Sequence, residues 1–372
     1  MGQPFKLLIN GLHAKSGGGV TYLRNILPFF AADDAIETHL CIHESQSDIF
    51  NDVADGIVLH TMNFRSGFWR LPFCEQVLVP RLARDIAATV TFSPANYGPL
   101  FAPGQITMLR NALGVAFVEK RVSKIAYWVI VYIGTFLSIA RSRKVIAVSD
   151  FVLHTTGEML PQLFADKFLV IHHGVSDIYA PPQEGQTRED FILAVSDIYV
   201  QKNFGPLLLS IDRIRKKYPD VLLKIAGRKL DQGYFDDLQQ IITDRDMQDN
   251  VSFLGSVTQS ELSILYRNCR FFVFPSLVES FGNPLVEAMA SGAPIATSNT
   301  AAMPEVVGPA ALLFDPVSVP EMASTLERLY EDEALRHNLS KKSLQRAQSF
   351  SWSKTASATL DVIKNVAAEG RE

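Results

Sequence analysis

The feature of the sequence that most constrains its fold is the repeated alternation of short apolar runs with stretches of helical periodicity. Short apolar runs are typical of strands buried on both faces, and the periodic stretches between them are typical of the helices that cover such a sheet. The alternation therefore predicts an α/β fold with a mostly parallel sheet. In the first half of the chain the predicted strands are residues 5–9, 39–43, 57–60, 89–92, 106–109, 145–148 and 168–171.

The alternation stops at residues 180–190, a proline-rich polar stretch without periodicity that is typical of a linker. It then resumes, with predicted helices at 204–217 and 260–268, and predicted strands at 191–195, 222–226, 251–254, 271–274, 294–297 and 311–313. We expect two facing, doubly wound, Rossmann-like domains, residues 1–178 and 191–352, with a linker over 179–190 and a C-terminal helix over 353–372 that crosses back to the first domain.

The composition excludes several classes of protein. Of the 372 residues, 47% are hydrophobic and 20% are charged, which is typical of a globular chain and not of a disordered or coiled-coil chain. The net charge of −4 provides no basic field of the kind that nucleic-acid-binding proteins use. The three cysteines lack the spacing of a metal or redox site. The apolar run near the N-terminus is too short for a signal peptide, so we expect a cytoplasmic protein.

One segment bears on membrane contact. Residues 125–140 are nearly all apolar, and lysine and arginine residues flank them from Lys120 to Lys144. A membrane-spanning helix needs about 20 apolar residues, so this segment is short. It is either a buried helix with solvated ends or a helix that rests on an anionic membrane surface through its basic flanks.

Two loops that follow predicted strands have features of anion sites. The loop over residues 10–19 contains Gly17, Gly18 and Gly19 and leads into a predicted helix, so its backbone can approach a ligand closely. A glycine-rich turn also serves as a plain connection, and this one matches no nucleotide-binding motif. Lys202 precedes a predicted helix, where an anion would relieve the opposition between the cation and the helix dipole. The alternative is a solvated surface lysine.

The most specific pattern is the loop over residues 279–287, which follows a predicted buried strand. Asn283 is predicted to be the N-cap of a helix, with Pro284 at the first helical position. Glu279 and Glu287 would accept hydrogen bonds from a hydroxyl-rich ligand, and the helix N-terminus would attract its phosphate. The alternative is that Glu287 only complements the helix dipole and that Glu279 is solvated.

The spacing of Glu279 and Glu287 around Phe281-Gly282 resembles the paired-glutamate motif of the family 4 retaining glycosyltransferases, the glycosyl transferases group 1, which have the GT-B fold. The resemblance extends over nearly the whole chain and is sharper in the second half. It is also carried by Gly18-Gly19, Lys202-Asn203 and by residues 145–149, 173–175, 225–227 and 253–255.

The resemblance implies a metal-independent hexosyltransferase that moves a sugar from a nucleotide-diphosphate sugar to a glycan or lipid-linked acceptor, with retention at the anomeric carbon. It implies that Glu279 and Lys202 are catalytic, that Glu287 binds the donor ribose and that residues near Leu254 frame the base. The implied donor-binding residues are Gly18, Gly19, Lys202, Asn203, Arg228, Leu254, Gly255, Glu279, Ser280, Phe281, Gly282, Asn283, Pro284, Leu285 and Glu287. The acceptor side is placed in the first domain, with His13, Asn96, Tyr97, Arg110 and Asn111 as candidates.

The sequence departs from the family pattern at two places. Asp197 stands where many relatives have an arginine a few residues before the phosphate-binding lysine, and Arg228 is the candidate to replace that cation. Arg110-Asn111 stands where relatives often have His-Asp, which concerns the sugar end of the site. Both departures keep open a second hypothesis, a catalytically silent nucleotide-sugar-binding or scaffold subunit. A sugar-nucleotide epimerase or hydrolase is a third.

The expected setting is polysaccharide, lipopolysaccharide or glycolipid biosynthesis in the cytoplasm, with no nucleic-acid partner, and with peripheral contact at the inner face of the cell membrane if residues 120–144 rest on an anionic membrane surface. No cofactor and no metal are expected. Asp244-Arg245-Asp246 has the D-x-D pattern of metal-dependent transferases of another fold, but solvation is the expected state of these residues. The histidines lack metal-ligand spacing.

Overall fold

The computed structural model describes residues 4–15, 17–53, 55–65, 67, 70–110, 122–158, 162–183 and 188–370, with the side chains of 122–128, 162, 163 and 165 left out. The described chain divides into two compact units. The first unit contains the described residues up to 174 together with 352–370, and the second contains residues 175–351. Asn111 and the other residues of 111–121 lie outside the described part of the chain.

The first unit is built on a parallel sheet of seven strands in the order β3-β2-β1-β4-β5-β6-β7. These strands are β1 (Phe5–Asn10), β2 (Ile36–His43), β3 (Ile57–Met62), β4 (Val90–Ser93), β5 (Gln105–Leu109), β6 (Lys144–Ala147) and β7 (Phe168–Val170). The helices are α1 (Gly18–Ala31), α2 (Ser47–Phe50), α3 (Arg70–Asp85), α4 (Val122–Arg141) and α5 (Asp150–Gly157), with 3₁₀ turns at Glu44–Gln46 and Gln162–Lys167.

The second unit is built on a parallel sheet of six strands in the order β10-β9-β8-β11-β12-β13. Its strands are β8 (Ile192–Val195), β9 (Leu223–Ala226), β10 (Val251–Gly255), β11 (Phe271–Phe274), β12 (Ile295–Ser298) and β13 (Ala311–Phe314). Its helices are α6 (Phe204–Ile214), α7 (Gln232–Asp244), α8 (Gln259–Asn268), α9 (Asn283–Ala290), α10 (Met303–Val307), α11 (Val319–Glu331) and α12 (Glu333–Ala347), with 3₁₀ turns at Val200–Lys202 and Gly308–Ala310.

A final helix, α13 (Trp352–Glu369), belongs to the first unit and packs on α1. The hydroxyl groups of Tyr22 on α1 and Thr359 on α13 lie 3.2 Å apart, and both residues are buried. The rings of Tyr22 and Trp352 meet edge to face at 5.9 Å. The core of the first unit is therefore completed by residues from the far end of the chain.

Every strand predicted from the sequence is present, and each sheet is parallel throughout. Short runs of this kind are buried on both faces, which is why their pattern is so easily recognised: β4, β5, β11 and β12 are buried at every position. The helix predicted over 204–217 ends earlier, at Ile214. Within the predicted linker, the Arg188 guanidinium donates hydrogen bonds to the carbonyls of Arg267 and Gly292, at 2.7 Å and 2.6 Å.

The apolar segment 125–140 forms most of α4. Among its described side chains, Thr135, Ser138 and Ile139 are buried, whereas Val129, Ile133 and Leu137 form an exposed apolar row at a spacing of four residues. The helix therefore has apolar residues on a buried face and on an exposed face. In the described chain, we find no helix that combines the length and the apolar character needed to cross a bilayer.

The order of strands reverses between β1 and β4 in the first sheet and between β8 and β11 in the second. Helices that follow the two central strands of such a sheet lie on opposite faces, which leaves a crevice at the carboxyl ends of those strands. Each unit therefore has one preferred position for a ligand, and the side chains that follow β1, β4, β8 and β11 are the ones that can reach it.

Two glycines provide a test of the second fold unit: Gly227 follows β9, and Gly255 is the last residue of β10. A Cβ on Gly227 would lie 1.9 Å from the carbonyl oxygen of Ser196, whereas a Cβ on Gly255 would meet no atom within 4 Å. Gly255 has a φ of 69°, so Gly255→Ala costs only the left-handed strain of about 1–2 kcal/mol. We expect Gly227→Ala to lower the free energy of unfolding by clearly more, because the backbone must move. Urea unfolding of both variants measures the difference, and equal losses would contradict it.

Candidate functional site

A buried ion pair lies at the point where the second sheet reverses its order. Lys202 ends the 3₁₀ turn that follows β8, and Glu279 lies in the loop that follows β11. The Nζ atom of Lys202 donates a hydrogen bond to Oε1 of Glu279 at 2.6 Å. Only 11% of the lysine side chain and 16% of the glutamate side chain are exposed. The alternative that Lys202 is a solvated surface lysine and the alternative that Glu279 is solvated are therefore both wrong.

Lys202 keeps its positive charge in this setting. Burial alone would lower the pKa of Lys202, but the charge of Glu279 and interactions with Glu279 and Tyr199 outweigh it, so the pKa of Lys202 is raised. The Nζ atom also lies 5.3 Å from the centroid of the Tyr199 ring. The crevice therefore contains an ammonium group that is charged at all physiological pH values.

The N-terminus of α9 begins in the same loop as Glu279. Gly282 is the N-cap, with a φ of 93°, and Asn283 is the first helical residue. The prediction of Asn283 as N-cap is wrong by one position because Gly282 adopts the left-handed conformation in which the chain enters the helix. Pro284, predicted at the first helical position, is the second residue of the helix and still lies in its first turn. The amide groups of this turn give the loop a partial positive charge.

Glu287 lies one turn further along α9 and is only partly exposed. Its Oε2 atom accepts a hydrogen bond of 3.1 Å from the Tyr266 hydroxyl. Burial raises the pKa of Glu287 to about 7, and the bond from Tyr266 lowers it by less. At neutral pH the carboxyl group is therefore divided between an ionised form, which only accepts hydrogen bonds, and a protonated form, which can also donate one.

Asp197, which follows β8, forms a two-pronged ion pair with Arg228, which follows β9. The Nη2 and Nε atoms of Arg228 lie 2.6 Å and 3.1 Å from the two carboxylate oxygens of Asp197. The backbone amide of Arg228 also donates to Asp197, at 2.9 Å. The hydrogen bonds and charge of Arg228 hold the pKa of Asp197 below its usual value despite partial burial. Arg228 is thus committed to a neutral pair and adds no net positive charge.

The remaining residues predicted for the second unit have mainly structural contacts. The Asn203 side chain donates to the carbonyls of Pro275 and Pro316, at 3.1 Å and 2.8 Å, and so ties together two loops at this end of the sheet. Gly255 accepts a hydrogen bond from the amide of Gly227. Phe281 is buried, with its ring 5.7 Å from that of Phe350. Ser280 lies in the loop after β11, Leu254 lies in β10 and Leu285 lies in α9.

The first unit has a separate polar cluster at its own reversal point. Glu75 on α3 is fully buried, and its Oε1 atom lies 2.5 Å from Nδ2 of Asn10 and 2.9 Å from Nε2 of His13. The rings of His13 and Tyr97 pack edge to face at 4.8 Å. Glu75 was not among the residues predicted from the sequence. The signal that could have found it is its position within the mostly apolar run of residues 71–80.

Arg110 lies beside the glycine-rich loop of the first unit. A Cβ on Gly19 would lie 2.3 Å from Nη1 of Arg110, so a larger residue at position 19 would force the end of the arginine side chain to shift. The backbone amide of Arg110 donates to the Asn96 side chain at 3.0 Å. Burial lowers the pKa of Arg110 to about 10, which leaves it charged at neutral pH. Gly18 and Gly19 open helix α1 next to this cation.

Comparisons with known proteins show which family model and which proteins the chain is similar to. Residues 177–346 match the family model described as "Glycosyl transferases group 1". The O-antigen chain mannosyltransferase B of Escherichia coli is 28% identical over 245 residues, which cover 61% of this chain and 62% of that protein. The serotype-specific mannosyltransferase WbdA of the same species is 28% identical over 60% of this chain but only 27% of its own length. The chain thus spans less than two thirds of these curated relatives.

Solved structures share the fold of nearly the whole chain. A sucrose-phosphate synthase from Thermosynechococcus elongatus superposes with a TM-score of 0.79 at 16% identity, over 98% of this chain and 100% of that one. Anabaena HepE, solved in complex with UDP-glucose, superposes with a TM-score of 0.76 at 17% identity, over 97% and 99% of the two chains. The predicted GT-B fold is confirmed.

The ion pair can be tested by a double-mutant cycle. Removing one partner of a buried pair leaves an uncompensated charge and costs about 3–5 kcal/mol, so Lys202→Met and Glu279→Leu should each lower the melting temperature. The double variant should lose clearly less than the sum of the two, because neither charge remains. Thermal unfolding of the four proteins gives the coupling. Additive losses would show that the two side chains do not interact in solution.

The raised pKa of Glu287 has a stability consequence of definite sign. The folded chain binds a proton more tightly than the unfolded chain, so stability falls as pH rises from about 4.5 to about 7 and stays lower above that range. Glu287→Gln should remove this slope and raise the melting temperature at pH 8, by an amount on the order of 2–4 °C for each kcal/mol. Glu369→Gln, at an exposed position on α13, is the control. An unchanged slope in the Glu287 variant would refute the assignment.

Proposed function

We propose that the chain, whose residues 177–346 match the family model of the glycosyl transferases group 1, transfers a sugar from a nucleotide-diphosphate sugar to an acceptor in polysaccharide or lipopolysaccharide biosynthesis. Relatives named as O-antigen and serotype-specific mannosyltransferases support this setting, and the UDP-glucose complex of Anabaena HepE supports the donor class. The observation that carries the proposal is the buried Lys202–Glu279 pair beside the N-terminus of α9.

The diphosphate of the donor binds at Lys202 and at the first turn of α9. The ammonium group supplies a full positive charge, and the helix N-terminus supplies a partial one, in a setting where little water competes. As the donor enters, the diphosphate takes over the interaction with Lys202. The Glu279 carboxylate is then released to accept hydrogen bonds from the hydroxyls of the donor sugar. Before the donor binds, the ion pair thus keeps Lys202 in position for the diphosphate and Glu279 in position for the sugar hydroxyls.

The ribose of the donor binds at Glu287. An ionised carboxylate accepts hydrogen bonds from two adjacent hydroxyls, and the Tyr266 hydroxyl fixes its orientation from the protein side. Because the pKa of Glu287 lies at about 7, its ionised form increases as pH rises through neutrality. Backbone near Leu254 and Gly255 frames the base, and Asn203 and Arg228 hold the loops of the donor site in place.

Transfer proceeds with retention at the anomeric carbon and without a metal. Negative charge grows on the diphosphate as the bond to the sugar breaks, and Lys202 with the α9 amide groups stabilises that charge. These groups supply the positive charge that a metal ion provides in other transferases. The D-x-D pattern has other contacts: Asp244 accepts a hydrogen bond from Gln240, and Arg245 forms an ion pair with Asp212.

The acceptor binds to the first unit, and α4 brings that unit to the inner face of the membrane. The exposed row Val129, Ile133 and Leu137 provides an apolar surface, and the exposed Arg141 and Arg143 at the end of α4 provide positive charge. Apolar insertion and attraction to anionic lipids act together at such a surface. Lys120 and Arg121, the basic residues before α4, lie outside the described residues.

The proposal is tested by donor binding followed by transfer. Thermal shift with a panel of nucleoside diphosphates and their sugars identifies the donor, because the ligand that binds the folded state raises the melting temperature. Lys202→Met should then lower the transfer rate by about 100-fold or more. Lys224→Met is the matched control, since Lys224 lies in the same unit, in an ion pair with Glu189. NMR of the product gives the anomeric configuration.

Three outcomes would count against the proposal. A product with inverted anomeric configuration would contradict retention but not sugar transfer itself. A Lys202 variant as active as the Lys224 variant would remove the role of the ion pair. The absence of a shift with every nucleotide would remove the donor site itself.

A further inference from the structure

A cavity of about 590 Å³ lies in the first unit, beside the buried Glu75–His13 cluster. Its volume falls within the range of about 300–1,000 Å³ that is usual for small-molecule sites. Most of its wall is apolar and comes from α3 and α4. The apolar residues of this wall are Leu71, Pro72, Ile130, Ile133, Leu137 and Val131.

The polar end of the cavity contains His13 and Tyr97. His13 uses Nε2 to contact Oε1 of Glu75, which leaves Nδ1 as the ring atom that can bond a ligand hydroxyl. The other carboxylate oxygen of Glu75, Oε2, is buried and has no hydrogen-bond partner among the described residues. A fully buried carboxylate is costly unless it is well bonded, so this cluster is unusual for a purely structural contact.

The walls of the cavity are held in place by hydrogen bonds to the loop that follows β4. The Gln76 side chain donates to the carbonyl of Gly98 at 3.0 Å and accepts from the amide of Leu100 at 2.8 Å. From α4, the Ser138 hydroxyl accepts from the amide of Gly98 at 3.1 Å. Arg141 donates to the carbonyl of Leu100 at 3.2 Å. The loop is thus fixed to both helices, and the cavity is formed before any ligand binds.

The apolar wall continues to the protein surface. Ile133 and Leu137 line the cavity and are also 55% and 48% exposed. Phe101, in the loop between β4 and β5, is exposed as well. A ligand with an apolar chain can therefore lie along α4 with its chain covered and its other end at His13. Lys15, which also borders the cavity, can neutralise an anionic group on such a ligand.

We propose that this cavity binds the acceptor of the transfer reaction as an amphiphile, a sugar-bearing lipid whose hydroxyls reach His13 and whose hydrocarbon chain lies against α4. This proposal rests on the proposed function, since it names the class of acceptor for that reaction. A free glycan would leave its many hydroxyls against an apolar wall, where unbonded polar groups are costly. A simple hydrocarbon would leave the Glu75–His13 cluster unused. Only a molecule with both parts matches both ends of the cavity.

The test measures binding of soluble probes, each below its micelle-forming concentration, by isothermal titration calorimetry. Dodecyl maltoside has both a sugar and a chain, maltose has only the sugar, and dodecyltrimethylammonium has only the chain. We expect dodecyl maltoside to bind at least about tenfold more tightly than either of the others. Equal binding of maltose would overturn the proposal in favour of a glycan acceptor. Equal binding of dodecyltrimethylammonium would overturn it in favour of a purely apolar site.

Two matched variants locate the site. Ile133→Asp places a charge in the cavity wall, whereas Val129→Asp places it one turn earlier on the same exposed row, at a residue outside the described lining. We expect the first variant to weaken dodecyl maltoside at least about tenfold and the second to leave it within about twofold of wild type. Equal effects would show that the probe binds only to the apolar surface of α4.

His13→Ala should weaken dodecyl maltoside but not dodecyltrimethylammonium, because only the sugar contacts the imidazole. Nucleoside diphosphate binding, measured on the same samples, separates the two proposals. If nucleotides bind and the amphiphile does not, the acceptor proposal fails and the donor site stands. If the amphiphile binds and no nucleotide does, the proposed transferase function fails.

Discussion

The structure depends on the reversal of strand order in each sheet. Successive strands of a parallel sheet are joined by right-handed crossovers, so the helices after the two central strands must lie on opposite faces. At that position no crossover covers the carboxyl ends of the strands. The polar groups that follow β8 and β11 meet there in the second unit, and those that follow β1 and β4 meet there in the first. The topology alone thus sets where a ligand can contact several loops at once.

The Lys202–Glu279 pair shows what the second unit keeps at this position. Two charges that are mostly removed from water stabilise each other but gain little over a well-packed apolar pair. Such a pair is understandable where the charges are needed for a ligand that competes for them. Glu287 is a second example. Burial raises its pKa to about 7, so the ionised carboxylate of Glu287 lowers the stability of the folded chain. Glu279 lies just before the first turn of α9, and Glu287 lies in its second turn.

Much of the fold could be predicted from the sequence, because a strand buried on both faces leaves a run of apolar residues that few other structures produce. Lys202 and Glu279 could be singled out as well, because each lies in a loop that follows a predicted strand. Their contacts could not: Lys202 and Glu279 are 77 positions apart, and no local pattern shows that they touch. The N-cap at Gly282 was missed by one residue because propensity favoured Asn283, whereas the left-handed turn required glycine.

Two further residues show why sequence patterns were insufficient at the site. Arg228 was predicted to replace a missing cation, and it is near the expected place, but it is paired with Asp197. That pairing depends on the neighbouring positions of β8 and β9, which the linear order does not display. Glu75 was overlooked because one acidic residue on a helix is ordinarily solvated. Its burial results from the packing of α3 against the first sheet, where Asn10 and His13 form hydrogen bonds with its carboxylate.

The return of α13 to the first unit has a consequence for synthesis on the ribosome. The surface of α1 that surrounds Tyr22 is covered by residues made more than 300 positions later, since Tyr22 and Thr359 are 337 residues apart. The second unit, residues 175–351, has its whole sequence available before α13 emerges. The usual order, in which the earlier part of a chain matures first, is therefore reversed here. Until α13 is synthesised, the apolar face of α1 in the nascent first unit stays uncovered, and exposed apolar surface of this kind is what chaperones bind.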